Sequence, residues 1–208
     1  LISYALVNRP YMTDLQENRS MVRGLLAQGI DVYLIDWGYP DRSDRYLTMD
    51  DYINGYINNC IDVICARHGI DAVNLLGICQ GGAFSLCFTL LHPGIIIYLI
   101  SMVIPFLNLK PYRLLAQKYI DMVDILDNPQ QVWNFMAMEK WIFDSPDQAG
   151  EAYRQFVKEF YQQNGLIKGT VMLGGEKVSL KNITCPVLNI YANDDHLVPP
   201  SASKPLGK

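Results

Sequence analysis

The sequence predicts an α/β protein, a mostly parallel sheet with helices on both faces, and three observations carry that prediction. β-rich runs alternate with helical stretches along most of the chain, the pattern of a parallel sheet whose crossovers are helices. One run, Val73-Asn74-Leu75-Leu76, passes through Gly77-Ile78-Cys79-Gln80-Gly81 directly into a helical stretch. From Pro105 to about Gly165 the alternation stops, and a helical, aromatic-rich segment without strand pattern intervenes before a strand returns.

Taken in order, Leu1 to Val7 reads as the first strand. Thr13-Asp14-Leu15-Gln16 has the form of a capping box for a helix that runs to Gln28 and stops at Gly29. Val32-Tyr33-Leu34-Ile35 is a short β-rich run closing in Asp36-Trp37-Gly38, and a polar loop spans Tyr39 to Leu47. Thr48 caps the next helix, in which Ile53, Ile57, Cys60, Ile61 and Ile64 recur at helical spacing until Gly69 ends it. The strand Val73 to Leu76 feeds the glycine turn, a helix covers Gly81 to Leu91, and His92-Pro93-Gly94 stops it. Ile95 to Val103 is a buried strand, and Pro186 to Tyr191 is the last strand, running into Ala192-Asn193-Asp194-Asp195-His196. The expected division is therefore residues 1–104 as the first part of the core, 105–165 as a helical cap and 166–208 as the remainder of the core. Repeats and low-complexity tracts are absent.

With 208 residues, 50% of them hydrophobic and 18% charged, the chain can bury one substantial core. A net charge of −4 and the lack of a Lys/Arg run or basic stripe give no reason to expect nucleic acid as a partner. The longest apolar stretch, Ile95 to Ile104, is broken by Ser101, stopped by Pro105, and far short of the roughly 20 residues that span a bilayer. Five cysteines in irregular spacing make no disulfide framework; Cys60, Cys65, Cys87 and Cys185 read as buried thiols. Three histidines, none at ligand spacing from a cysteine pair, argue against a metal. Leu1 is not a start methionine, and the chain reads as a piece of a longer protein.

The chemistry centres on Gly77-Ile78-Cys79-Gln80-Gly81, the strand-to-helix nucleophile elbow of α/β-hydrolase folds with cysteine in the place of serine. So tight a turn strains the nucleophile's backbone, and side chains at Gly77 and Gly81 would collide with the neighbouring strand and helix. At a helix amino end the Cys79 thiolate is favoured, lowering a thiol pKa of about 8.5. The backbone N–H of Gln80 follows the nucleophile and can meet a developing oxyanion. A second donor belongs to the loop after the first strand, Val7-Asn8-Arg9-Pro10, with the Asn8 backbone as the candidate. The acidic partner belongs after a later strand, where Asp194 and Asp195 stand together and spacing does not separate them. A histidine base is expected beyond the acid; His196 adjoins the acid and reads as structural, and His68 and His92, at helix ends, do not read as bases. Trp37, at the end of a β-rich run, is a candidate pocket wall.

Four segments carry a family resemblance: Asp36-Trp37-Gly38, Leu75 to Gly82, Glu139-Lys140-Trp141-Ile142-Phe143-Asp144 and Asp195-His196-Leu197-Val198-Pro199-Pro200. With these in view the chain resembles the catalytic subunit of class III polyhydroxyalkanoate synthases over nearly its whole length. The resemblance implies Cys79 as nucleophile and selects Asp195, before the His-Leu-Val-Pro-Pro run, as the catalytic aspartate. The family's histidine, in a Gly-His motif further downstream, has no counterpart here, and this chain alone is expected to be inactive. Between Pro105 and Phe106 the family carries several tens more residues; either the cap is shortened or the sequence was joined across a gap.

What the resemblance implies is an acyltransferase that polymerises (R)-3-hydroxyacyl-coenzyme A, chiefly 3-hydroxybutyryl-coenzyme A, into polyester with release of coenzyme A. It needs no cofactor, since the coenzyme A thioester is substrate. The growing polyester chain, a second non-catalytic subunit and a homodimeric partner are implied as well, at polyhydroxyalkanoate granules in the cytoplasm. The apolar residues Phe135, Met136, Met138, Trp141 and Phe143 suit a cap that keeps water from the acyl group. The alternatives are a cysteine-dependent thioesterase or ester hydrolase on the same fold, and a catalytically dead homologue that acts only by binding.

Overall fold

The computed structural model describes residues 1–102, 122–193 and 200–207. In chain order its elements are β1 (Ile2–Ser3), β2 (Asp14–Gln16), β3 (Arg19–Ser20), α1 (Met21–Ala27), α2 (Asn58–His68), β4 (Val73–Ile78), α3 (Gln80–Leu91) and β5 (Ile96–Met102). Then come α4 (Pro129–Phe143), α5 (Gly150–Phe156), α6 (Gly165–Lys168), β6 (Met172–Leu173), β7 (Glu176–Lys177), β8 (Val187–Ile190) and α7 (Pro200–Ser203). Two π-helical stretches, Asp51–Ile57 and Val157–Gln162, run directly into α2 and out of α5.

The chain forms two compact units. The first holds Leu1–Val7, Tyr33–Pro105 and Pro146–Lys208, and the second holds Asn8–Val32 and Phe106–Ser145. This differs from the expected division at 105–165: the amino-terminal stretch Asn8–Val32 joins the helical segment, and residues 146–165 go with the sheet. The reason lies in side-chain bonds that composition does not announce. In the second unit the Gln16 side chain donates to the Trp133 carbonyl and Arg9 pairs with Asp144, while in the first unit Met49 N–H donates to the Gln155 side chain.

The first unit is built on a wholly parallel sheet in the order β1-β4-β5-β8, as the alternating pattern predicts, with helices on both sides. Val73, Leu75, Leu76, Gly77 and Ile78 of β4 are all buried. Because consecutive strand residues face opposite sides, both faces of this central strand are covered, as parallel sheets require. Helix α3 is buried almost all round, and Phe84 and Phe88 on it are wholly enclosed. An aromatic cluster forms against it: Tyr52 stacks on Phe84 with centroids 6.3 Å apart, and Trp37 meets Tyr52 edge to face at 5.6 Å.

Thr48 starts its helix through a reciprocal capping box. Its N–H and hydroxyl both donate to Asp51 Oδ2 at 2.7 Å, and Asp51 N–H donates back to Thr48 Oγ1 at 3.3 Å. Gly69 ends the helix in the left-handed region, φ 63°.

The first strand is shorter than the sequence suggests. Its ladder comprises only Ile2 and Ser3, paired with Leu76 and Gly77, and Val32–Ile35 contributes a single parallel bridge from Leu34 to Ile2. Beyond Ser3 the start of α3 closes on the backbone, and the chain leaves the sheet while remaining buried through Leu6.

In the second unit the expected helix from Thr13 is replaced by a hairpin. Thr13 Oγ1 donates to the Pro10 carbonyl instead of capping, and β2 pairs antiparallel with β3. The helix starts later, at Met21, where Ser20 Oγ accepts from Arg23 N–H at 2.9 Å. Asn128 caps α4 by accepting from the N–H groups of Gln130 and Gln131, with Pro129 at its first position. The helical segment expected at 105–165 is thus helical over 129–143 and 150–162, with a further short helix at 165–168 and its stretch 105–121 outside the described residues. Among the described residues no helix is long and apolar enough to cross a membrane.

Candidate active site

The elbow forms where β4 hands over to α3. Cys79 adopts φ 57° and ψ −122°, a conformation that an L-residue enters at a cost. Its N–H donates to the Met102 carbonyl at the end of β5, 2.7 Å away, and its carbonyl accepts from Gly82 N–H at 2.9 Å. Both glycines answer to sterics. A β-carbon on Gly77 would come within 2.7 Å of Gly81 O and Ser85 Oγ, and one on Gly81 would strike the backbone of Ser3 and Tyr4. A β-carbon on Gly82 would make a tight but lesser contact, 3.2 Å from Ser101 Oγ. The turn therefore nests the first residues of α3 between β4 and β1, leaving Cys79 half-buried at the apex.

Register carries the geometry across the sheet. Ile78, Met102 and Ile190 lie in one row, so β4 and β8 exit on the same edge. Two strand spacings separate those exits, about 10 Å. The residues following β8 lead into Asp194 and Asp195, which, with His196, lie outside the described residues.

The other two histidines are engaged elsewhere. His68 closes α2, ahead of β4, at the opposite edge of the sheet from Cys79, and its Nε2 lies 2.8 Å from the Tyr33 hydroxyl. His92 follows the far end of α3, about 18 Å along a 12-residue helix. Its Nε2 lies 2.8 Å from Asn54 Oδ1, and burial lowers its pKa.

Gln80 is buried at 6% exposure, and its side chain is used as well as its backbone. Oε1 accepts from Leu6 N–H at 3.0 Å, and Nε2 donates to Gln148 Oε1 at 3.1 Å. Trp37 is half-buried and donates from Nε1 to the Tyr4 carbonyl at 2.8 Å, so its indole is spent largely on packing and on that bond. Asn8 belongs to the second unit, where its Oδ1 accepts from Trp141 Nε1 at 2.9 Å.

Of the thiols expected to be buried, Cys87 alone is, and burial pushes it up to about 12. Cys60, Cys65 and Cys185 are half-buried; the first two lie on α2, whose buried residues are Ile61 and Ile64, and Cys185 lies in the bend before β8.

Sequence reading missed two groups. The Gln80 side-chain bonds and Gln148 carry no local pattern, since a glutamine in an elbow is ordinarily read for its backbone. The second is the Asp144 cluster in the second unit. Arg9 Nε lies 2.7 Å from Asp144 Oδ1, and Tyr11 OH donates to Oδ2 at 2.9 Å. The adjacent aromatic Glu139–Asp144 run was its only signal.

An acute strand-to-helix turn on a parallel sheet, with a nucleophilic side chain at its apex, defines an α/β-hydrolase-fold protein, and the family model described as alpha/beta hydrolase fold matches residues 9–116. A meta-cleavage product hydrolase from Pseudomonas fluorescens superposes with a TM-score of 0.55 at 15% identity, over 99% of this chain and 76% of that one, a likeness in fold. The poly(3-hydroxyalkanoate) polymerase subunit PhaC of Allochromatium vinosum is 57% identical over 243 residues, covering 99% of this chain and 68% of the relative. The subunit of the same name from Thiocystis violacea is 56% identical, with the same coverage, and that from Synechocystis 50% identical over 250 residues. The chain belongs to the poly(3-hydroxyalkanoate) polymerase PhaC family. The 243-residue alignment exceeds the 208 residues of the chain, so part of the relative's aligned stretch has no counterpart here.

Proposed function

We propose that this protein is an acyltransferase that polymerises (R)-3-hydroxyacyl-coenzyme A, chiefly 3-hydroxybutyryl-coenzyme A, into polyhydroxyalkanoate through an acyl group carried on Cys79. The observation that carries the reading is a cysteine at the strained apex of a glycine-enforced elbow, in a chain of the PhaC family. Cys79 Sγ, as thiolate, attacks the thioester carbonyl; the tetrahedral oxyanion collapses, the carbon–sulfur bond to coenzyme A breaks, and coenzyme A leaves as thiolate to take up a proton. One thioester replaces another, so the acyl group stays activated for the next transfer, as an ester on serine would not.

In this reading the N–H of Gln80 meets the oxyanion. Asp195 helps to activate the 3-hydroxyl of the incoming unit, and Trp37 borders the acyl pocket. No cofactor takes part. A second, non-catalytic subunit and a homodimer complete the active assembly, which works at the cytoplasmic granule surface. The described histidines do not serve as the base for Cys79, since both stand at the far ends of their elements.

The test is acid-quenched labelling of the intact protein with radiolabelled 3-hydroxybutyryl-coenzyme A. Label is expected on the wild type and absent from Cys79→Ala, with polyester as the product. Label retained by the Cys79→Ala protein would falsify the nucleophile. Free 3-hydroxybutyrate in place of polymer would make the protein a thioesterase, and failure to release coenzyme A at all would leave it a binding homologue.

A further inference from the structure

The Gln80 side chain does something that its place in an elbow does not require. Beyond Ser3 the β1 ladder has ended, yet Leu6 is 4% exposed, and its N–H still needs a partner. Gln80 Oε1 supplies it. Because Leu6 N–H can only donate, the amide must turn its oxygen that way, which leaves Nε2 to donate to Gln148 Oε1. Both ends of one buried amide are thereby fixed: to the turn that follows β1, and to the segment just ahead of α5.

We infer that Gln80 is a positioning residue whose side chain, held between Leu6 and Gln148, sets the direction of its own backbone N–H at the oxyanion. The inference rests on the proposed acyl-transfer reading. The residue is the first of α3, on a turn where the neighbouring Cys79 already sits outside the favoured backbone regions. A peptide in such a place can reorient. A side chain anchored at both polar ends removes that freedom. A displacement of about 1 Å in a group that meets the reacting atoms costs on the order of 100-fold in rate.

The test compares two reactions at one thiol. Alkylation of Cys79 by iodoacetamide forms no oxyanion; acylation by a phenyl thioester does. Their ratio cancels both the thiolate population and the exposure of the sulfur, which a merely structural role would change for both reactions together. Gln80→Met, which keeps the side-chain length and removes both polar ends, is expected to lower the acylation-to-alkylation ratio by about 10- to 100-fold. Gln148→Ala leaves residue 80 intact and removes one anchor, and is expected to lower the ratio several-fold, which keeps the inference testable if Gln80→Met fails to fold. Ratios within twofold of wild type for the folded variants would overturn the inference and leave the acyl-carrier reading standing. All variants are made in the intact protein, where alkylation of the wild type without any acylation would overturn the acyl-carrier reading and, with it, this one.

Discussion

A β-carbon on Gly81 would lie against the backbone of Ser3, closer than any non-bonded pair is found. This contact between the first turn of α3 and the end of β1 explains why the strand ladder stops at Ser3 and why the elbow tolerates no side chain there. Neither atom set can yield. One is strand backbone held by the β4 ladder, and the other is helix backbone.

Gly81→Ala is expected to destabilise the protein by about 3 kcal/mol, the upper end of overpacking costs, because backbone must move. Gly24→Ala is the contrasting control. Gly24 lies within α1 with nothing near its β position, so alanine should stabilise by about 0.5–1 kcal/mol. Urea unfolding of the two variants checks both signs.

Cys79 itself stores strain. Its φ of 57° with ψ of −122° suits glycine, and strain of this kind is worth about 1–3 kcal/mol. Cys79→Gly should therefore raise the unfolding free energy by about 1 kcal/mol while abolishing acylation, whereas Cys79→Ala keeps the strained backbone and gains little. A rise in Tm confined to the glycine variant is the expected result. Equal Tm shifts in both would show that the backbone there is relaxed.

Trp37 connects the aromatic cluster to the strand exit. Trp37→Phe retains an aromatic ring but strands the Tyr4 carbonyl in a residue that is 1% exposed. The cost is expected to be about 1–3 kcal/mol from the unpaired carbonyl, with a further loss from the smaller ring. Denaturant unfolding of the variant measures it; a cost below about 0.5 kcal/mol would mean that the carbonyl finds another donor.

In the second unit, the hydrogen bond from Tyr11, followed by the bond and charge of Arg9, holds the Asp144 carboxyl below its ordinary pKa against a smaller opposing effect of desolvation. The sign follows from linkage. A depressed carboxyl pKa means that the unfolded chain binds more protons, so the stabilisation is complete above the unfolded value of about 3.9 and is lost as pH falls through the lower folded value. Acid titration should release the Arg9–Asp144 pair only below about pH 4, seen as a change in the fluorescence of nearby Trp141. Asp144→Asn should flatten that transition.

The order of the main strands and helices, the position of the elbow and the identity of its apex residue are legible in the residues alone. These are local matters: apolar periodicity, capping residues and glycines that a tight turn demands leave their mark within a few neighbours. Thr48, Gly69 and Gly77 to Gly81 were readable for that reason. The β2–β3 hairpin was not, because Thr13 can cap a helix or bond back to Pro10 and the choice depends on what surrounds it. Long-range packing is what limits β1 to two paired residues, joins Asn8–Val32 to α4 in one unit, and brings Gln80 to Leu6 and Gln148. Those outcomes rest on partners more than 60 residues apart, where contact depends on how layers pack rather than on any spacing along the chain.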